Sequence, residues 1–468
     1  KTLKRLFPDV GVIIGGMEAS LRRLAHYDYW ADRVMPSILV DSKADLLIYG
    51  MGENPLWDIL KLVKKNVPIK KIKNVQGTAF LSSYGELNKD FQEKLVNGEV
   101  DFCPSFEEVS KDKHKFIKAY NIQYNSSNNY NSKTLVQKHR KDYVIVNPPA
   151  KPLTQKQMDY VYSLPFMGSA HPSYKKGVPS ENEVKFSITS HRGCFGNCSF
   201  CALSFHQGKT ISKRSKQSIV NEAKALTEKE DFKGYIHDIG GPTANFRNSA
   251  CKNQEQGKVC KNKQCIGYEP CPNLVVDHSE YLDILRTVRN LEGIKKVFVR
   301  SGVRFDYLLY DKNDDFFKEL VEYHTSGQLK VAPEHSQNNV LRLMNKPKFE
   351  IYQRFYKRFM DENKRINKEQ YLVPYLISSH PGCSMNDALK LTEYLKKIGH
   401  MPEQVQDFYP TPSTRSTCMY YTGIDPLTGE EVYVPNTKEE KHTQRALLQY
   451  RKKKNKPLIK RAVPKYKK

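Results

Sequence analysis

The stretch Ser190-His191-Arg192-Gly193-Cys194-Phe195-Gly196-Asn197-Cys198-Ser199-Phe200-Cys201 sets three thiols in a Cys-x3-Cys-x2-Cys spacing. Cysteine thiolates hold iron–sulfur cubanes, ordinarily four to a cluster. Cys194, Cys198 and Cys201 on one tight loop would hold three irons and leave the fourth without a protein ligand. An open position on a metal is where a small molecule binds and reacts. Gly193 and Gly196 let the loop turn sharply enough to aim its thiols inward. The competing reading is a zinc knuckle or three buried free thiols. Zinc favours sets of four ligands, which this loop does not supply by itself.

A second group, Cys251, Cys260, Cys265 and Cys271, falls in a segment rich in Lys, Asn, Gln and Gly. Thiols this dense are not explained by core packing, and either a zinc ion or an auxiliary iron–sulfur cluster would satisfy four of them. The alternative is a loop with surface thiols. Cys103, Cys383 and Cys418 are isolated and read as small buried hydrophobes.

These groups need elements to position them. Val184 to Thr189 alternates like a half-buried strand directly before the three-thiol loop. Five more strand patterns follow: Tyr235 to Gly241, Val297 to Gly302, Leu329 to Glu334, Tyr371 to Ser378 and Val405 to Tyr409. Helical patterns separate them, at Ile219 to Glu228, Tyr281 to Leu291, Asp315 to His324, Ile351 to Asn363 and Met385 to Lys397. Six strand–helix units predict an α/β chain with an open, partial (β/α)6 barrel, its active groups at the carboxyl ends of the strands. Those ends carry Gly240 and Gly241, Ser301 and Arg304, Glu334 and His335, Ser378, His380 and Gly382, and Tyr409 to Thr411. The planar fork of Arg304 suits a carboxylate.

Ahead of the barrel, Asp9 to Gly16 and Asp45 to Glu53 read as buried strands, each followed by a helix, which predicts a parallel α/β layer. The Gly15-Gly16 turn could cradle a phosphate, but without a Gly-x-Gly-x-x-Gly spacing plain packing is the preferred reading. Residues 121 to 133, rich in Asn and Ser, read as a loop, and Pro148-Pro149 marks a boundary. The expected domains are therefore residues 1–148, 149–412 and 413–468.

The chain has 468 residues and a net charge of +25, with 39% apolar and 27% charged residues. The charge points to a polyanionic partner, RNA first, or to a lysine-rich composition without specific meaning. Lys441 to Lys468 holds twelve Lys or Arg and no acid, and reads as a solvated, partly disordered end or as a tracker of phosphates. No apolar run approaches the ~20 residues of a membrane span. Ten cysteines and no signal peptide argue for a reducing compartment, and so for the cytoplasm. The chain opens on Lys1 rather than Met, so a preceding part is expected.

The three-thiol loop resembles that of the radical S-adenosylmethionine (SAM) superfamily. The resemblance implies a [4Fe-4S] cluster whose open iron chelates SAM, a reducing electron donor, and a 5′-deoxyadenosyl radical that takes hydrogen from a substrate. It implies that Phe200 lies near the adenine and that the Gly240-Gly241 turn meets the amino group of SAM. It also implies that strand ends such as Ser301, Arg304 and Glu334 touch the ribose, the methionine carboxylate or the substrate. The N-terminal layout resembles part of the cobalamin-binding-like domain that precedes many such barrels, without an Asp-x-His-x-x-Gly motif. The match narrows further. Gly15 to Arg23, His26 to Trp30, His171 to Tyr174, Gly240 to Asn245, Ala332 to His335, Ser379 to Cys383, Phe408 to Pro412 and Gly423 to Pro426 resemble the YgiQ-type radical SAM proteins over nearly the whole chain. The alternative, a basic RNA-binding or scaffold protein with structural metal sites, rests on the charge alone.

Overall fold

The structure is a computed structural model, and it describes residues 1–83, 85, 94, 96–258, 260 and 264–466. Six strands form the N-terminal sheet, in the order Ile13–Ile14, Leu46–Ile48, Thr78–Ser83, Asp142–Val146, Thr134–His139, Val100–Cys103. The first two pair in parallel, as strand–helix alternation predicts. Thr78–Ser83 then runs antiparallel to both its neighbours, and Thr134–His139 with Asp142–Val146 makes an antiparallel hairpin. The sheet is therefore mixed beyond the two strands legible as βα units. Its centre is buried on both faces: Leu47, Ala79, Val144 and Val146 pack on one side, and Leu46, Phe80, Ile145 and Val136 on the other. Burial on both faces is why these strands read as continuous apolar runs.

The segment expected as a loop at 121–133 begins inside a helix, Lys113–Asn125. Asp112 caps it by accepting from the His114 and Lys115 amides. Phe116, Tyr120 and Tyr124 recur at four-residue spacing on its buried face, a stripe the Asn-rich composition obscures. Only 126–133 lies outside regular helix before the next strand.

The six predicted barrel strands appear as seven segments, the second broken at His237, and each falls within a predicted stretch or one residue of it. Ser187–Thr189 pairs in parallel with Asp238–Gly240, and Tyr235–Ile236 with Lys296–Val297. Gln328–Glu334, Tyr371–Ser378 and Gln406–Asp407 form a parallel three-stranded sheet. The first strand starts later than the alternation suggests. Glu181–Val184 is a helical turn with Val184 exposed, so only Phe186 and Ile188 of that run point into the core. Helices Lys216–Thr227, Ser279–Arg289, Asp315–Tyr323, Phe349–Arg365 and Met385–Lys397 cover the strands. The last starts where predicted because Ser384 and Asp387 form a reciprocal capping box. The core between strands and helices gathers Ile188, Ile219, Ile239, Leu285, Val299, Leu320, Leu329 and Phe355.

The basic C-terminal stretch folds, contrary to a solvated tail. It forms helices Lys438–Leu448 and Lys456–Tyr466. Leu447 packs with Ile377, Cys383 and Met385, and Leu448 with Leu376, Leu391 and Leu395. These few apolar residues outweigh the surrounding lysines, whose charged ends stay in water. Among the described residues no helix is long and apolar enough to cross a membrane.

Candidate active site

The three-thiol loop leaves the first strand at its carboxyl end and is held on all sides. Gly193 has φ +91°, and a Cβ there would overlap the Thr210 carbonyl, so glycine is obligatory. The Gln207 side chain accepts from Gly193 N at 3.0 Å, and Gly208 O accepts from Cys194 N at 3.0 Å. Asn197, at φ +46°, donates its amide to Tyr124 Oη at 2.9 Å, while its carbonyl accepts from Asn345 Nδ2 at 2.9 Å. The helix Asn338–Met344 receives Ser199 N on its Met344 carbonyl at 2.9 Å.

The loop brings Cys194, Cys198 and Cys201 together. Burial pushes the Cys194 thiol up and Cys201 to about 12, and Cys198 adds to both shifts. Thiols crowded together like this, two of them kept protonated by burial, are a donor set that a cationic cluster would satisfy. Among the described residues no three His, Cys, Asp or Glu converge as closely as one metal ion requires.

Arg304 closes the site from the third strand's end. It is buried, donates Nη1 to Cys198 Sγ at 3.4 Å and Nε to Asp306 Oδ1 at 2.7 Å, and among the described residues Nη2 has no partner. Burial opposes its charge, but Asp306 and Cys198 outweigh that and hold it protonated. Its backbone amide donates to Asn245 Oδ1 at 2.8 Å. Asn245 Nδ2 faces His278 Nε2 at 3.2 Å, and His278 Nδ1 donates to Asp311 Oδ2 at 2.5 Å. Asn245, His278 and Asp311 thus position Arg304, and the sequence did not single them out as a set.

Glu334 ends the fourth strand at φ +67°, a strained angle for a non-glycine residue. Burial raises its pKa, partly offset by Lys346, whose Nζ lies 3.6 Å from Oε1, and by Arg304. The Phe200 ring lies 6.0 Å from that of His380 and packs against Met344, Ile377 and Cys383. His380 is buried and neutral: Nδ1 donates to Pro381 O at 2.7 Å, and Nε2 accepts from Ser416 Oγ at 2.6 Å.

Gly240 and Gly241 are dictated first by packing. A Cβ on Gly240 would overlap Ser301 Oγ, and one on Gly241 would meet the His191 ring at 2.6 Å. Ser301 and Arg300 donate their amides to Asp238 Oδ1 at 3.1 and 2.7 Å, tying the second strand to the third. Asp238 was not foreseen; its place inside a predicted strand hid it.

The four-cysteine insertion packs against the thiol loop. Ile266 and Ala250 share a cluster with Phe195, Phe246 and Tyr307, and Gln264 accepts from Asn197 Nδ2 at 2.5 Å. Burial pushes Cys265 to about 12, with Cys251, Cys271 and Cys260 all near enough to contribute. Residues 259 and 261–263 lie outside the described residues. A cavity of about 1190 Å³ lies against Lys185 and Ser187 at the opposite end of the first strand and is lined by none of these residues.

A strand-end site built on a three-cysteine loop defines a radical SAM protein, and family models agree. Residues 1–187 match the Radical SAM N-terminal model, 188–399 the Radical SAM superfamily, and 403–466 a domain of unknown function (DUF3362). The chain belongs to the UPF0313 family: it is 56% identical over 463 residues to a UPF0313 protein of Clostridium botulinum (strain ATCC 19397 / Type A), covering 98% of this chain and 70% of that one. A UPF0313 protein of Clostridium perfringens (strain 13 / Type A) is 52% identical over 455 residues, covering 97% and 68%. The radical SAM methyltransferase TsrM from Kitasatospora setae, solved with tryptophan and a SAM analogue, is similar with 12% identity and a TM-score of 0.46, covering 90% of this chain and 60% of that one. The YgiQ-type resemblance is borne out, and the protein is a radical SAM enzyme whose cofactors are a [4Fe-4S] cluster and SAM.

Proposed function

We propose that Cys194, Cys198 and Cys201 ligate the cluster and that Arg304 takes the carboxylate of SAM. One observation carries this reading: the buried Arg304 guanidinium touches Cys198 Sγ and keeps Nη2 unpartnered among the described residues. An unpaired donor of this kind, buried beside the thiols, calls for an anionic acceptor. Phe200, Gly240, Gly241, Ser301 and Glu334 line the remaining strand ends. Once held there, a reduced cluster and SAM would supply radical chemistry able to take hydrogen from a substrate. The four insertion cysteines are proposed as a second site, for zinc or an auxiliary cluster.

RNA is the proposed substrate. Trp30 is 80% exposed, and its ring lies 5.4 Å from Tyr29 and 6.3 Å from Tyr409, just past the sixth strand. Lys441 Nζ sits 5.5 Å from the Tyr29 ring and 4.7 Å from Tyr420, so the basic segment starts beside these rings. Exposed aromatics next to a basic run suit stacked bases and phosphates.

The test is anaerobic reconstitution with iron and sulfide, then reductant and SAM. 5′-Deoxyadenosine should form, and Cys198→Ala should abolish it. Failure of the parent chain to form it, or retention by Cys198→Ala, would overturn the site. RNA affinity should fall steeply with salt; no measurable affinity would remove RNA as substrate while leaving the cofactor chemistry intact.

A further inference from the structure

The run Gly15 to Arg23 contributes a buried cation that the radical site does not use. Arg23 is 3% exposed. It donates Nη1 to Ser20 O at 2.5 Å and stacks 4.6 Å from the Tyr49 ring. Among the described residues no carboxylate pairs with it and its Nε has no partner. A buried guanidinium without a counter-ion costs several kcal/mol in general. Arg23 lines a cavity of about 30 Å³ between the N-terminal sheet and the thiol loop. Arg192, Lys151, Asn129, Gly50 and Gln207 line the same space. Arg192 is already paired with Glu53 at 2.5 Å, so Arg23 and Lys151 are the cations left over. On this measure one water needs roughly 10–15 Å³, so the cavity admits an ion of a few heavy atoms and no nucleoside.

We propose that this cavity binds a small tetrahedral oxyanion, of phosphate size, as the counter-ion of Arg23. The wall it would touch matters, because the Gln207 side chain and Gly208 carbonyl hold Gly193 N and Cys194 N. The ion would brace the loop from behind without contacting the thiols. This inference is independent of the assignment of RNA or of the SAM subsite.

The experiment is thermal unfolding of the full chain against inorganic phosphate, at ionic strength held constant with chloride. The midpoint should rise saturably, on the order of 2–4 °C, because phosphate binds the folded state alone. Arg23→Met should lose the response. Lys151→Ala, at an exposed position, should fold and need more phosphate for the same rise. Adenosine monophosphate should give no rise. A parent chain indifferent to phosphate, or equal responses in the parent and both variants, would overturn the site. A rise with adenosine monophosphate equal to that with phosphate would overturn the free-ion assignment.

Discussion

Arg304 joins the thiols to the rest of the barrel, and its replacement separates charge from shape. Arg304→Lys keeps a cation but loses the fork that reaches Cys198 and Asp306 together and leaves Nη2 for the proposed carboxylate. The expected outcome is a rise of about tenfold or more in the SAM KM, with iron content per chain unchanged, since a charge-assisted bidentate contact contributes roughly 1.5–3 kcal/mol. Steady-state 5′-deoxyadenosine formation and iron analysis together check it. Arg304 is legible from sequence only as an arginine just past a strand, whose planar fork suits a carboxylate. Asn245, His278 and Asp311 could not be read as one network. They are 33 residues apart from one neighbour to the next, and only the fold brings their side chains within hydrogen-bond reach. Glu334 was legible as a strand-end acid, but its left-handed backbone was not, since nothing in Ala332-Pro333-Glu334-His335 announces a positive φ.

At the scale of elements, the helix Lys438–Leu448 is the one whose role composition disguised. From Lys441 on, twelve basic residues without an acid suggest solvent, yet two polar side chains of the helix reach the barrel, and one of them, Arg445, pairs with Asp407 of the sixth strand at 2.6 Å. Gln444 accepts from Ser379 N at 3.0 Å and donates to Cys383 O at 2.9 Å. It thereby satisfies the turn after the fifth strand, where Ser379 has φ +62°. Gln444→Ala leaves a buried amide and a buried carbonyl unpaired, and should cost about 1–3 kcal/mol, read as a lower midpoint in urea or heat. The barrel helices were legible because amphipathic spacing and caps agree, as in Ser384 to Lys397. The N-terminal hairpin Thr134 to Val146 was not, because its turn at His139 to Asp142 lacks the Asn-Gly or Asp-Gly signal and uses Arg140 at φ +55° instead.

For the whole molecule, two properties follow from what is buried and what is not. Burial holds His26, His139 and His324 down to about 4, from 6.5. The unfolded chain binds protons at these groups below about pH 6.5 and the folded chain does not. Stability should therefore be intact above that pH and fall as pH drops toward 4, measurable as a declining unfolding midpoint. At the surface, Trp30→Ala should weaken single-stranded RNA binding by about tenfold while sparing double-stranded RNA, because stacking needs an unpaired base. Equal loss on both would leave only a charge effect.

The contact of Gln444 with the Ser379–Cys383 turn also has a meaning in time. During synthesis all six strands emerge before the helix that secures the fifth one's exit. The mouth of the barrel is thus finished by a stretch translated after the barrel itself, and a nascent chain carrying every cysteine still waits for its keystone.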